Sequence, residues 1–310
     1  MGRISKKWIA LFTFLGSIFV TFATYGQEVT LPPLNLGGTS FLDGVASPGL
    51  LLEETIEYYH GNRFTDSKGG KIPGDNSIES WLALAHGAYL TKFKILGGYY
   101  GVEVLLPVVR VDLDTDLGMR GHQAGLGDLI VSPFILQWVD HKIFKMPYFH
   151  RVNFPFILPT GRYDRDSAVN IGSHVYSFNP YYAFTLFITP KLETSWRFHY
   201  LWNSENHSPP RYFLADSVQP GQAFHLNYAL SYKILDGLRA GVAGYYLYQI
   251  TSDRVDDHKR DHSKEKVFAI GPGMMFSKKG FFLYLNAFYE TRAENRPEGM
   301  KISLRCSKVF

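Results

Sequence analysis

Three short patterns in the sequence hold residues that could do chemistry. In "DLDTDLG" (112–118) the carboxylates Asp112, Asp114 and Asp116 alternate as at the start of a calcium loop. However, Leu117 stands where such a loop needs glycine, and Gln123 where it needs a bidentate glutamate. The pattern departs from an EF-hand and leaves only a loose carboxylate site. His258 and His262, in "DDHKRDH", have the spacing of a metal pair on a helix, yet their dense charged surroundings read as a solvated external loop. Ser195 and His199 share a face of an extended segment. They lie about 13 Å apart along a strand, too far for direct proton transfer, and no G-x-S-x-G elbow occurs. These residues predict no cofactor, no metal and no enzymatic centre.

A larger ionisable set is distributed by parity. In "LETSWRFHYLWNSEN" (192–206), Trp196, Phe198, Tyr200 and Trp202 fall on one parity; Glu193, Ser195, Arg197, His199 and Asn203 fall on the other. A strand sends successive side chains to opposite faces, so this segment has an aromatic face and an ionisable face. In a soluble sandwich the aromatic face is core. In an outer-membrane barrel it meets lipid, and the ionisable face lines the lumen. The pattern alone fits both. The same alternation recurs at 224–233 and 100–108, and in the last segment Ile302, Leu304, Cys306 and Phe310 oppose Lys301, Ser303, Arg305 and Ser307.

The elements that would position these residues are strands. Glycine and proline, 29 and 16 residues, divide the chain into alternating apolar runs. Candidate strands cover 50–59, 78–94, 97–110, 125–139, 147–158, 174–187, 191–203, 222–234, 238–250, 266–277, 280–291 and 300–310. The connections between them alternate in length. Long polar segments are expected at 60–77, 111–124, 159–173, 204–221, 251–265 and 292–299, and tight turns near 95, 189, 235 and 278. A sandwich has no reason for such regularity, whereas a barrel with short periplasmic turns and long external loops does. The expected fold is therefore all-β: a transmembrane antiparallel barrel of about twelve strands over 50–310.

Composition and the first residues agree with that architecture. The 310 residues are 45% hydrophobic and 16% aromatic but only 19% charged, below the usual quarter. Arg3, Lys6 and Lys7 precede the apolar run Trp8–Phe22, and Thr24 and Gly26 offer a cleavage point, so 1–26 reads as a signal peptide. Those residues carry three of the 32 basic residues and none of the 28 acidic ones, which leaves 29 against 28. A nearly neutral mature chain gives no reason to invoke nucleic acid. Cys306, the single cysteine, has no partner for an intramolecular disulfide.

On the barrel reading the lumen collects Glu53, Glu57, Glu103, Arg151, Asn153, Asn179, Glu193, Arg197, His199, His225, Lys233, Arg239, Glu290, Arg292, Lys301 and Arg305. These form either the mixed-charge lining of a pore or a set of opposed charges that fills a narrow barrel. Parity also predicts that arginine is tolerated at inward Ser195 and not at lipid-facing Phe198. The Pro/Gly-rich stretch 27–49 is unsuited to a strand. It is either a periplasmic tail or a plug folded into the lumen, with Phe41 and Leu42 as its apolar contacts; Leu31, Leu34 and Leu36 add to the apolar content that favours the plug.

Several stretches resemble the family of meta-pathway phenol-degradation proteins. They are "LPPLNLGGTSFLDG" (31–44), "GLGDLIVSPFILQW" (125–138), "FILPTGRYD" (156–164), "NIGSHVYSFNPYYAFT" (170–185), "GYYLYQITSD" (244–253), "AIGPGM" (269–274) and "NRPEG" (295–299). The resemblance implies an outer-membrane barrel that transports small hydrophobic or aromatic compounds. Outer-membrane lipid and lipopolysaccharide are its expected surroundings, and a chain ending on Phe310 resembles the signal read by the barrel assembly machinery. The alternatives are a non-conducting structural or adhesive barrel and, third, a barrel-embedded lipid-modifying enzyme.

Overall fold

The computed structural model describes residues 29–116 and 118–310; the expected signal peptide and Leu117 lie outside them. Twelve antiparallel strands follow one another along the chain. They are β1 (Gly49–Phe64), β2 (Asn76–Ile95), β3 (Gly98–Thr115), β4 (Arg120–Leu126 and Leu129–Ile143), β5 (Met146–Asn153 and Phe156–Leu158) and β6 (Ser177–Phe178 and Tyr181–Phe187). Then come β7 (Leu192–Asn203), β8 (Ala223–Leu235), β9 (Leu238–Gln249), β10 (Lys266–Lys278), β11 (Phe281–Glu294) and β12 (Pro297–Val309). Each pairs with its neighbours in sequence, and β12 returns to β1 with a ladder running from Leu51 opposite Val309 to Phe64 opposite Pro297. The sheet closes on itself and leaves no strand edge, the condition for a sheet to stand in hydrocarbon.

Alternation sets the two faces. In β1 the even residues Leu50, Leu52 and Ile56 are exposed on the outside, while Glu53, Thr55 and Glu57 turn inward. The same division places Tyr200, Trp202, Leu230, Tyr232, Ile302 and Leu304 on the outer wall. Short turns gather at one end of the barrel. At Leu96–Gly97 and Phe144–Lys145 both central residues have positive φ (50° and 79°, 48° and 71°), the backbone of two-residue turns that match strand twist. Gly49 and Phe310 meet at this same end, where Leu50 N–H donates to the Phe310 carbonyl at 3.3 Å. By the rule for such barrels it is the periplasmic, or inner, end.

The outer end departs from the expected loops in two places. Residues 111–124 form no long loop: β3 runs on to Thr115 and β4 begins at Arg120. Residues 292–299 are likewise strand apart from Asn295–Arg296. Polarity alone marks exposure, not loss of pairing. Arg120–Asp114 at 2.7 Å across the hairpin and Arg110–Asp112 at 2.9 Å along one strand satisfy charges where it projects into water. Other connections, 159–176, 204–222 and 250–265, are long. The latter two are tied by small strands at Val218–Gln219, Arg254–Val255 and His258–Lys259.

Three neighbouring strands are interrupted at adjoining levels: β4 at Gly127–Asp128, β5 at Phe154–Pro155 and β6 at Asn179–Pro180. Pro155 and Pro180 lack the N–H a ladder needs. Asp128 takes over at the first break, accepting from Gly161 N–H (2.9 Å), Ser173 N–H (2.8 Å) and Ser173 Oγ (2.5 Å).

Lipid contact should be depth-dependent on the outer wall. Phe198→Arg should cost about 2–4 kcal/mol of stability in bilayers if the residue lies near the midplane, while His60→Arg, near the outer rim, should cost at most about 1 kcal/mol. Urea unfolding from vesicles measures both; equal costs would contradict the assignment of the outer face.

Candidate functional site

The barrel interior holds the only dense assembly of charge at membrane depth among the described residues, and residues 29–48 run through it. At the outer end, Leu31 N–H donates to Glu265 Oε1 at 3.1 Å, and Arg296 pairs with Glu265 at 3.2 Å. Midway, Asn227 of β8 accepts from Gly37 N–H at 2.8 Å and donates to the Asn35 carbonyl at 3.1 Å. Lys301 of β12 donates to the Leu36 carbonyl at 2.7 Å and faces Glu57 at 3.4 Å. Lower down, the Asp43 carboxylate accepts from Arg197 Nε at 2.8 Å and from Arg197 Nη2. Arg151 reaches the Asp43 carbonyl at 3.0 Å. Gly44 N–H donates to Thr185 Oγ1 and its carbonyl accepts from Gln137 Nε2, each at 2.9 Å.

The wall is shaped to receive this segment. Phe41 is fully buried and packs with Leu36 against Tyr245, Met275, Tyr284 and Phe288 of β9–β11. Burying its ring contributes about 1.5–3 kcal/mol. Gly273 on β10 makes the space: a Cβ there would stand 2.8 Å from the Phe41 ring. Leu42, in the left-handed region at φ 56°, packs at the edge of the same cluster.

Opposite the segment the inner wall is apolar. Leu82 and Leu84 of β2, Leu105 of β3, and Ile130 and Ile135 of β4 line a cavity of about 830 Å³, closed on the other side by Leu34, Leu42 and Val45. A charged network also borders this cavity. His86 bridges Glu53 and Glu103 at 3.2 Å to each, Asn153 Nδ2 donates to Glu103 at 2.5 Å, and Arg305 approaches Glu53 at 3.7 Å. Arg197 lies over the Tyr181 ring at 4.3 Å. A large apolar chamber thus carries one polar side, held rigid by reciprocal charge pairs.

The remaining inward residues form separate clusters. Glu290 accepts from Tyr59 and Tyr245 hydroxyls, both at 2.8 Å, near the outer end. His199 stacks on His225 at 4.1 Å, and His225 Nε2 meets Asn179 Oδ1 at 3.2 Å. Toward the inner end Glu193 accepts from Ser195 at 2.7 Å and from Ser231, which in turn accepts from Arg239 Nε at 2.8 Å.

Three expectations are corrected. Ser195 faces inward but is sealed between Glu193 and Thr185, so an arginine there has no room. Arg292 is exposed on a bulge at φ 57°, outside the lumen. Lys233 sits at the inner rim, paired with exposed Asp236 at 2.6 Å. Ser195 and His199 form no nucleophile–base pair: the His199 ring nitrogens meet no side-chain partner and Ser195 is committed to Glu193. Among the described residues no three His, Cys, Asp or Glu side chains are arranged to hold a metal ion. The carboxylates of 112–114 are engaged by Arg110, His122 and Arg120.

A closed twelve-stranded barrel with an apolar outer wall and a charged, segment-filled lumen is an outer-membrane β-barrel. The chain belongs to the MetA-pathway of phenol degradation family, whose model matches residues 61–306. Among solved structures it is similar to an outer membrane channel from Pseudomonas putida F1, with 16% identity, a TM-score of 0.76, and coverage of 86% of this chain and 97% of that one. It is also similar to the translocator domain of the autotransporter NalP from Neisseria meningitidis, with 10% identity, a TM-score of 0.50, and coverage of 87% and 91%. At these identities the likeness is one of fold. No curated protein sequence matches.

Over the outer mouth, Asp253 joins two loops by accepting from Gly221 N–H at 2.8 Å and Gln249 Nε2 at 2.6 Å. Burial pushes its carboxyl up to about 7, against the pull of the Gly221 N–H and with a further push from Glu265. An acid raised in the folded state stabilises while protonated. Its contribution is fully present below the ordinary aspartate value of about 4 and is lost as pH rises through about 7. Hydrogen exchange at Gly221, corrected for intrinsic rate, should therefore be faster at pH 8.5 than at pH 5.5, and Asp253→Asn should remove the difference.

Proposed function

We propose that the chain is a passive channel for small hydrophobic or aromatic compounds, in which residues 29–48 act as a plug. The observation that carries this reading is the apolar-walled cavity of about 830 Å³ inside the barrel, bounded on one side by a segment that is not part of the wall. A chamber of that size suits small-molecule occupancy, and its aliphatic lining favours apolar solutes. The family name, which refers to phenol degradation, supports an aromatic cargo. The segment is held by side-chain bonds, an apolar cluster and the ion pairs of Asp43 with Arg197 and Arg151, and none of the barrel's ladder bonds runs through it. Displacing it leaves the wall whole.

The alternative, a non-conducting structural barrel, is favoured by the number of charges that pair across the lumen and fill it. The two readings diverge on Asp43. Removing one partner of a buried ion pair costs about 3–5 kcal/mol, so Asp43→Asn should loosen the segment without touching the ladder. In liposomes reconstituted with the mature chain, Asp43→Asn and deletion of 29–48 should each raise conductance and flux of an aromatic solute above the wild type. Folded, heat-modifiable variants with the flux of empty liposomes would establish the structural reading instead.

A further inference from the structure

We propose that the inner rim of the barrel is a collar that binds anionic phospholipid headgroups of the inner leaflet. Each of the five short turns at that end holds or is flanked by lysine: Lys92 and Lys94, Lys142 and Lys145, Lys191, Lys233, and Lys278 and Lys279, with Lys308 beside the C-terminus. Against them stand two exposed carboxylates, Asp140 and Asp236. Among the described lysines of this rim, only Lys233 has an ion pair, with Asp236. Lys308 donates to the Lys279 carbonyl at 2.9 Å, and Lys94 lies over the Tyr99 ring at 4.5 Å; neither contact neutralises the charge.

The outer end is built on the opposite plan. There the cations are mostly arginines, carboxylates are as numerous, and several pairs form within the chain, as in Arg63–Glu298 at 3.1 Å, Arg211–Asp166 at 2.6 Å and Lys266–Glu294 at 2.8 Å. The outer rim balances itself, whereas the inner rim is left cationic. Its counter-charge must come from outside the chain.

The apolar residues between the lysines identify that source. Phe93 is 65% exposed, Leu96 86% and Phe144 91%, and each lies within two residues of a lysine. Such a pattern, with apolar tips beside long flexible ammonium stems, suits a surface where hydrocarbon adjoins phosphate. The rings and Leu96 enter the acyl boundary, and the lysines extend to the headgroup layer. A soluble acidic protein would meet the charge but leave three large apolar tips in water. A strongly hydrated ammonium on a flexible stem also suits mobile headgroups better than a rigid guanidinium fork. The assignment rests on the barrel's orientation in the membrane and is independent of what crosses the lumen.

The test uses the mature chain in phosphatidylcholine vesicles containing a minor fraction of phosphatidylglycerol. Electron paramagnetic resonance of spin-labelled lipids gives the relative association of the two headgroups with the barrel. Wild type at low salt should favour phosphatidylglycerol about fivefold, the effect of roughly one lysine at an anionic surface. The preference should fall towards unity in 1 M salt, where screening acts within about 3 Å. Replacing Lys94, Lys145, Lys191 and Lys279 by glutamine should lower it at least about twofold, with Lys92, Lys142, Lys278 and Lys308 keeping the remainder; replacing them by arginine should retain it in full. Equal association of both lipids with wild type at low salt, or a full preference in the folded glutamine variant, would overturn the proposal. Should that variant not fold, the Lys94→Gln, Lys145→Gln pair and the wild-type salt titration carry the same test. Binding of soluble polyglutamate without any lipid preference would assign the rim to an acidic protein and also overturn it.

Discussion

Hydrocarbon offers no partner to a backbone amide, and the rest of this molecule follows from that constraint. Only closure of β12 onto β1 satisfies every ladder, and closure creates an interior whose side chains cannot reach bulk solvent freely. Ionisable groups turned inward by alternation must then find partners among themselves. Glu53, His86, Glu103 and Arg305 do so in one chain of contacts, and Glu290 with two tyrosines in another. Arg197, with no acidic partner of its own on the wall, takes Asp43 from the segment running through the lumen. The ion pair that holds the segment is thus a consequence of closing the sheet.

The interior is divided rather than uniform. Strands β8–β11 offer small and aromatic residues to the segment, with Ala229, Ala243 and Ala269 fully buried beneath it and Gly273 giving way to Phe41. Strands β2–β4 stay clear of it and keep aliphatic side chains facing an open chamber. Apolar residues therefore occur on both faces of β2–β4: the outer ones serve lipid and the inner ones serve the cavity. A barrel that only needed filling would have no use for the second set, which is why the cavity, and not the charged clusters, carries the functional reading.

That division also explains what could and could not be read from residue order. Where one face is polar, as in β7, parity separates Trp196 and Phe198 from Glu193 and Arg197; the strand count follows from the same periodicity, and the long connections expected at 159–173 and 204–221 are found at 159–176 and 204–222. In β2 the run Leu82, Leu84, His86, Ala88, Leu90 faces inward beside an equally apolar outer face, so no alternation marked His86 as the bridge between two glutamates. Asp43 was hidden for another reason: its partners lie 108 and 154 residues away, and no local pattern reports such a contact. Paired charges on the β3–β4 hairpin looked like loop because composition records solvation, not hydrogen bonding.

The course of residues 29–48 bears on how the molecule is put together. Leu31 sits at Glu265 near the outer end, and Gly49 begins β1 beside Phe310 at the inner end. Between them the segment is bonded to side chains of β4–β8 and β12. A cylinder cannot acquire such a cord by wrapping it on the outside. The seam between β12 and β1 must zip around a segment already laid along the axis, or the finished cylinder must be threaded from its inner mouth. On the first route the segment serves as a mandrel, and the seam between β12 and β1 encloses it as it forms; on the second the finished cylinder serves as a sheath.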